Sequence, residues 1–290
     1  MNKEKLKALI NLLDDPDEEI FKVVSDNLAT IGIEVIPELE EAWQGSLNEH
    51  LQERLENLIH RIQLDTSHKV LTQWVSSNNQ DLLFGSYLIA KWQYPDLEYE
   101  TIEDAINKIK QDVWLEINNN LTALEKVKIL NHIIFEIHKF NKNISNYYAP
   151  QNSFINHVLE SKKGNPITLS VIYSIVAQRL GIPIYGVNLP RNFILAYMDI
   201  YKENQKLEEA DVLFYINPYN KGTVLGKKEI DYFLNQQRIR PQNSFYLPCG
   251  SRDIIQRLIL NLIKSYEILG YPEKIEQLQK FLRIVNSERR

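Results

Sequence analysis

Apolar positions in the first third of the chain recur at three- and four-residue spacing, the period of helices that bury one face. Leu6, Leu12 and Leu13 lead into Asp14-Asp15-Pro16-Asp17, a turn and N-cap cluster. Ile20, Phe21, Val24, Leu28 and Ile31 follow at helical spacing until Gly32 stops the run. Ile36-Pro37 opens another helix, and Leu51, Leu55, Leu58, Ile59 and Ile62 make a further stripe. Val70, Leu71, Trp74 and Val75 suggest one more helix, and Leu82, Leu83, Tyr87, Leu88 and Ala90 another. Trp92, Tyr94, Pro95, Leu97 and Tyr99 read as an aromatic loop before a helix over 102–117. Thr122 and Glu125 form a capping box for a helix that carries Leu124, Val127, Leu130, Ile133, Ile134 and Ile137.

The stretch from Gly164 to Pro183, GNPITLSVIYSIVAQRLGIP, has a different pattern. Pro166 suits a first helical turn, and Gly181 with Pro183 marks the stop. Its apolar residues point to more than one side, which predicts a buried central helix. Tyr185 to Leu189, Phe193 to Ile200 and Val212 to Ile216 are aromatic and β-branched and predict strands, with a polar loop from Lys202 to Asp211. From Ser251 onward two helical stripes flank a turn at Gly270-Tyr271-Pro272-Glu273. A small antiparallel sheet against one buried helix is an α+β core, here flanked by α-helical N- and C-terminal segments. The expected divisions are a helical segment over 1–66, a helical connector over 67–120, the core over 121–248 and a helical hairpin over 249–290.

Composition narrows the function. Of 290 residues, 44% are hydrophobic and 24% charged, enough to fill a core. The net charge of −5 and the lack of a dense basic tract argue against nucleic acid as a partner. No apolar run has the length to span a bilayer, and the N-terminus lacks a signal peptide's apolar stretch, so the expected location is the cytoplasm. Cys249 is the single cysteine, which excludes an internal disulfide and a cysteine-based zinc cluster.

Several motifs resemble known families. LLDDPDEEIFKVVSDNLATIGIEVIPELEEAW resembles a HEAT repeat, and the last helical pair resembles one tetratricopeptide unit. Tyr148-Ala-Pro-Gln-Asn-Ser-Phe154, Val158-Leu159, Gly164-Asn-Pro-Ile-Thr-Leu-Ser170, Arg179-Leu-Gly-Ile-Pro183 and Gly186-Val-x-Leu-Pro190 together resemble the SirB-type family of the transglutaminase-like superfamily, a bacterial-type family. A similar domain occurs in some F-box proteins. The resemblance implies a papain-like core over roughly residues 120–290. Active members carry a Cys at the start of the central helix, a His on the next strand and an Asp on a later one. Aligned without gaps, those positions are Pro166, Asn192 and Asn217 here. SirB-like proteins also carry Pro at the first position but commonly keep the other two.

The residues themselves support the same conclusion. None of the six histidines lies beyond the central helix. Pro166 offers no nucleophile, Asn192 no general base near neutral pH, and Asn217 no carboxylate to orient an imidazolium. The expectation is a non-catalytic scaffold or regulator that binds a protein or peptide, without cofactor or metal. Thr168, Asn192, Asn217 and Tyr219 are the candidate lining of the former cleft. The alternative is a hydrolase or acyltransferase on a peptide or amide substrate, with Thr168 or Ser170 as nucleophile and Lys162 or Lys163 as the nearby base. Against it, a hydroxyl in a first helical turn commonly bonds within that turn. His132 and His138, six apart, have the wrong spacing for joint ligation. His157 is expected to pack or face solvent, Asn152 and Asn156 to serve turns and caps, and Trp43, Trp74, Trp92 and Trp114 to fill core. Cys249 is expected to be a small buried residue.

Overall fold

The computed structural model describes residues 3–199 and 211–287. They fall into two units, Met1–Gln73 and Trp74–Arg290.

In the first unit, α1 spans Lys3–Asn11, α2 Glu18–Ile31 and α3 Ile36–Gly45, and most of α4, Glu49–Ser76, belongs here too. Asp17 begins α2 as the acidic cluster predicts, its carboxylate accepting the Glu19 N–H at 2.8 Å. Gly32 ends it with φ of +84°, a left-handed value that costs glycine little. Leu13, Leu28, Val35, Leu39 and Leu55 are fully buried between these helices. Buried Arg54 donates to the Leu13 and Asp15 carbonyls and pairs with Glu18, which ties α4 to the turn before α2. The stripes at Leu51–Ile62 and Val70–Val75, separate in the sequence pattern, lie on one continuous α4.

The second unit begins in the last turn of α4. Asp81 caps α5, Leu82–Gln93, and α6 spans Tyr99–Glu116. Trp92 is a correction: it closes α5, buried, and is no part of a loop. Trp114 is another: it stands on the outer face of α6, 64% exposed. The Thr122–Glu125 capping box opens α7, Ala123–Asn131, and the chain continues over His132–Ile137 as a wider π-helical turn. The short strand β1, Asn141–Lys142, pairs in parallel with β2, Lys163–Gly164, with α8, Ile155–Ser161, between them. Then comes α9, Pro166–Gln178, followed by β3 Ile184–Val187, β4 Ile194–Met198, β5 Val212–Asn217 and β6 Thr223–Leu225. These four strands form an antiparallel sheet in the order β3-β4-β5-β6. Helix α10, Lys227–Gln236, precedes the hairpin of α11, Ser251–Leu269, and α12, Pro272–Val285. Apart from Asp211, the polar loop expected over 202–211 lies outside the described residues, as does Ile200.

Every residue of α9 from Ile167 to Ala177 is buried, as an all-round apolar helix requires. It packs against α6, α8, β3 and β4. The opposite face of the sheet is covered too: Val187, Ile194, Ala196 and Met198 pack with Ile230 and Leu234 of α10 and with Tyr246. All five residues of β4 are therefore buried, the pattern of a strand covered on both faces. The architecture is α+β, mostly helical with small sheets.

Candidate functional site

The start of α9 is built by residues that precede it. Asn165 is its N-cap, with Oδ1 accepting the Thr168 N–H at 3.0 Å. The amide of the same side chain donates to Ser153 Oγ at 2.8 Å. Asn152, 2% exposed, holds the neighbouring loop. Its Nδ2 donates to the carbonyls of Asn146 and Tyr147 at 2.7 and 3.0 Å, and its Oδ1 accepts from Asn143 Nδ2 at 2.9 Å. Gly164 fits between α8 and α9, since a Cβ there would stand 2.9 Å from Val158 Cγ1 and 3.2 Å from Leu169 Cγ. The motifs around Asn152 and Gly164-Asn-Pro thus form one bracket around the helix N-terminus.

Pro166, at the first helical position, has neither N–H nor reactive side chain. Its carbonyl accepts from Ser170 Oγ at 2.8 Å, and Ser170, fully buried, also lies 3.4 Å from the Phe193 carbonyl. Thr168 is 1% exposed, and its Oγ1 has no hydrogen-bond partner among the described residues. The in-turn bond anticipated for Thr168 is made by Asn165 to its backbone instead. Lys162, half-buried and lowered in pKa by desolvation, donates to the Leu159 carbonyl and lies over the Phe140 ring.

Asn192 and Asn217 come to the same end of the sheet. Asn192 lies two residues before β4, and Asn217 is the last residue of β5, the antiparallel neighbour of β4. The Ser170–Phe193 contact and the packing of the 218–220 turn on α9 set that end of the sheet against the helix. Asn192 Oδ1 accepts the N–H of Phe193 at 2.8 Å. Asn217 Oδ1 is buried without a hydrogen-bond partner among the described residues. Tyr219 follows on the 3-10 turn, its ring centroid 6.4 Å from that of Tyr147 and 5.9 Å from Lys142 Nζ; burial raises its pKa.

Other side chains complete this region without having stood out in the sequence. The Tyr173 hydroxyl, fully buried and raised well above its ordinary pKa by desolvation, donates to Asn131 Oδ1 at 2.9 Å. Asn131 Nδ2 donates in turn to the Gly222 carbonyl at 2.9 Å. At Gly222, φ is +70° and a Cβ would fall 1.8 Å from Asn131 Oδ1, so only glycine fits the turn after Asn217. Asn165 was legible: an Asn directly before a Pro at the first helical position is a capping signal. The links to Ser153 and from Tyr173 to Asn131 span 12 and 42 residues and leave no local pattern.

The remaining candidates serve packing. His138 Nε2 lies 2.7 Å from Asp112 Oδ2, and His157 packs on Tyr94 with centroids 5.1 Å apart. Desolvation pushes the Cys249 thiol from 9.0 to about 12, and its backbone N–H donates to the Gly186 carbonyl at 2.8 Å. Among the described residues no group of three His, Cys, Asp or Glu side chains is placed to hold a metal ion. No helix among them is long and apolar enough to cross a membrane.

Comparison with known proteins follows the same residues. The sequence model of the transglutaminase-like superfamily matches residues 100–260. A UPF0162 protein of Xylella fastidiosa is 28% identical over 203 residues, 66% of this chain and 67% of that protein. F-box only protein 21 of Mus musculus is 31% identical over 154 residues, 53% of this chain but 23% of that protein. A UPF0162 protein of Vibrio cholerae is 21% identical over 154 residues, covering 53% of each chain. No solved structure matches. With the superfamily match running from α6 into α11, over more than half the sequence, this chain belongs to the transglutaminase-like superfamily.

Proposed function

We propose that the chain is a non-catalytic member of its superfamily, of the SirB type, that binds a protein or peptide as a scaffold or regulator. One observation carries the reading. The positions that the gap-free resemblance assigns to Cys, His and Asp of active members hold Pro166, Asn192 and Asn217, while the bracket around the α9 N-terminus is complete. A proline at the helix start cannot form a thiolate, and an asparagine neither takes up a proton near pH 7 nor stabilises an imidazolium. The two asparagines bring their side-chain amides to one end of the sheet, with Asn192 Oδ1 taken by the Phe193 N–H and Asn217 Oδ1 buried. With Tyr219 they form the proposed rim of a cleft that holds a peptide by shape and hydrogen bonds, while Thr168, 1% exposed, lies beneath that rim rather than on it. The HEAT-like helices and the tetratricopeptide-like hairpin add outer faces for contact. The shared stretch with F-box only protein 21 goes with a protein-interaction role. We place the protein in the cytoplasm, without nucleic acid or membrane partners.

Hydrolysis or acyl transfer through Thr168 or Ser170 calls for an ionisable base within about 3.2 Å of the hydroxyl. Ser170 Oγ bonds backbone carbonyls, and Thr168 Oγ1 bonds nothing among the described residues. No specific observation therefore favours the enzyme. The test is turnover of a panel of peptide amides and esters by the purified chain. No turnover above buffer is expected; turnover lost in Thr168→Ala or Asn192→Ala would overturn the proposal.

A further inference from the structure

Six large side chains that the fold leaves exposed, Ile144, Tyr147, Tyr148, Ile268, Leu269 and Tyr271, line one groove in the second unit. The groove has a volume of about 780 Å³ and runs between the 144–151 loop and the α11–α12 hairpin. Isolated exposed apolar residues are ordinary, but a contiguous set lining a concave surface marks a place where something binds. The floor is fixed in place: the Tyr266 hydroxyl donates to Gln93 Oε1 at 3.0 Å, and Trp92 Nε1 to Gln277 Oε1 at 2.9 Å. Perpendicular ring pairs stiffen the walls, Tyr147 with Tyr148 at 5.0 Å and Tyr266 with Tyr271 at 6.1 Å. Such rings offer wide contact faces at little cost in side-chain freedom.

Charge narrows the choice of occupant. Among the described lining residues Lys274 is the one that carries a charge. Its ammonium lies 5.0 Å from the Trp92 ring centroid and forms no ion pair among the described residues. Burial lowers its pKa, and the field of adjacent Glu273 only partly opposes that. A partly desolvated cation without a counter-charge in contact gains most from a carboxylate that arrives with its own apolar flanks. A polyanion fits poorly, because one lysine in a protein of net charge −5 cannot offset many phosphates.

We infer that this groove binds an extended segment of a protein partner, with one Asp or Glu side chain on Lys274 and flanking apolar side chains on Tyr147, Tyr148 and Tyr271. The groove adjoins the proposed cleft through Tyr147, whose ring centroid lies 6.4 Å from that of Tyr219, but its charged anchor is Lys274 on α12, which takes no part in the cleft reading, so the Lys274 variants test it on its own.

The experiment is selection from a random heptapeptide phage library with the full chain, followed by fluorescence anisotropy on the enriched peptides. The expected consensus is a single Asp or Glu between Leu, Ile, Phe, Tyr or Pro. Lys274→Met is expected to weaken binding about 10-fold, the scale of one charge-assisted contact. Replacing the peptide's carboxylate by its amide should cost the same in the native chain and nothing further in Lys274→Met. Lys274→Arg should keep the preference, and Tyr271→Ala should weaken both peptides alike. A library without consensus, a basic or phosphate-dependent consensus, or an acidic preference that survives Lys274→Met in a folded variant would each overturn the inference.

Discussion

The loop from Asn143 to Ser153 has two sides that behave in opposite ways. On one side, buried Asn152 and Ser153 connect to Asn143, to the Asn146 and Tyr147 carbonyls and to Asn165 at the head of α9. On the other, Ile144, Tyr147 and Tyr148 stand exposed in the groove beside the hairpin. The inner side has spent its polar groups on one another. The outer side offers aromatic faces and Lys274 in the groove they share. Under the proposed function, the difference teaches that a motif of the superfamily can serve architecture on one side of a segment, while the surface proposed to meet a partner lies on its other side.

The largest test of that contrast concerns the native thiol. A thiol at the head of a helix is expected to titrate below 8.5. Cys249, away from it and desolvated, is pushed up to about 12. At pH 7.5 its thiolate fraction should be about three orders of magnitude below that of a free cysteine. Alkylation by iodoacetamide should be correspondingly slow until urea unfolds the chain, and rapid labelling of the folded protein would break the contrast. The sign for stability follows. A raised folded-state pKa contributes stability that is present below 9.0 and lost as pH rises toward 12, so base denaturation should be milder in a folded Cys249→Ala variant than in the native chain.

Next in size, Asn165→Ala removes a helix cap and leaves Ser153 Oγ without its donor. A loss of about 2 kcal/mol is expected in urea titration. Tyr148→Ala, on the outer side of the same loop, should stay within about 0.5 kcal/mol. Equal losses would mean that the two sides do not differ. Tyr173→Phe, which breaks the relay through Asn131 to Gly222, should cost about 1 kcal/mol. The smallest effect is expected at Thr168→Val. The hydroxyl that it removes is buried and unbonded among the described residues, so stability should be unchanged or rise by up to about 1 kcal/mol. A loss above that size would reveal a partner for Thr168 Oγ1.

Much of the fold was legible because local chemistry dictated it. The Asp17 cap, the Thr122–Glu125 box, the all-round apolar run of α9 and the Gly270–Pro272 turn each follow from adjacent residues. Short elements escaped, among them α8, β1 and β2 as well as α10 and β6. Only Ile230 and Leu234 of α10 are buried, too few to stand out among its polar residues, and β6 is three residues long. Trp92 beside Tyr94 and Pro95 looked like a loop, yet its burial depends on Phe154, Tyr266 and Phe281, which lie far along the chain. The exposure of Trp114 likewise depends on what packs on α6, which no local pattern records. At the site, the positions Pro166, Asn192 and Asn217 were named from sequence. That Asn192 and Asn217 share one end of the sheet needed the register of β4 on β5. The groove of Tyr147 and Tyr271 joins residues more than a hundred positions apart and was not visible at all.

The most direct test of the proposal that a catalytic geometry has been vacated is to refill it and read the thiol. Alkylation rate against pH is measured for Pro166→Cys, alone and with Asn192→His and Asn217→Asp, with slow-reacting Cys249 as the internal control in the same chain. The predicted result is an introduced thiol that titrates below 8.5 and moves lower still when position 192 is His, as a helix N-terminus and an imidazolium neighbour require. A thiol that titrates at or above 8.5 and is indifferent to position 192 would contradict the correspondence on which the proposed function rests.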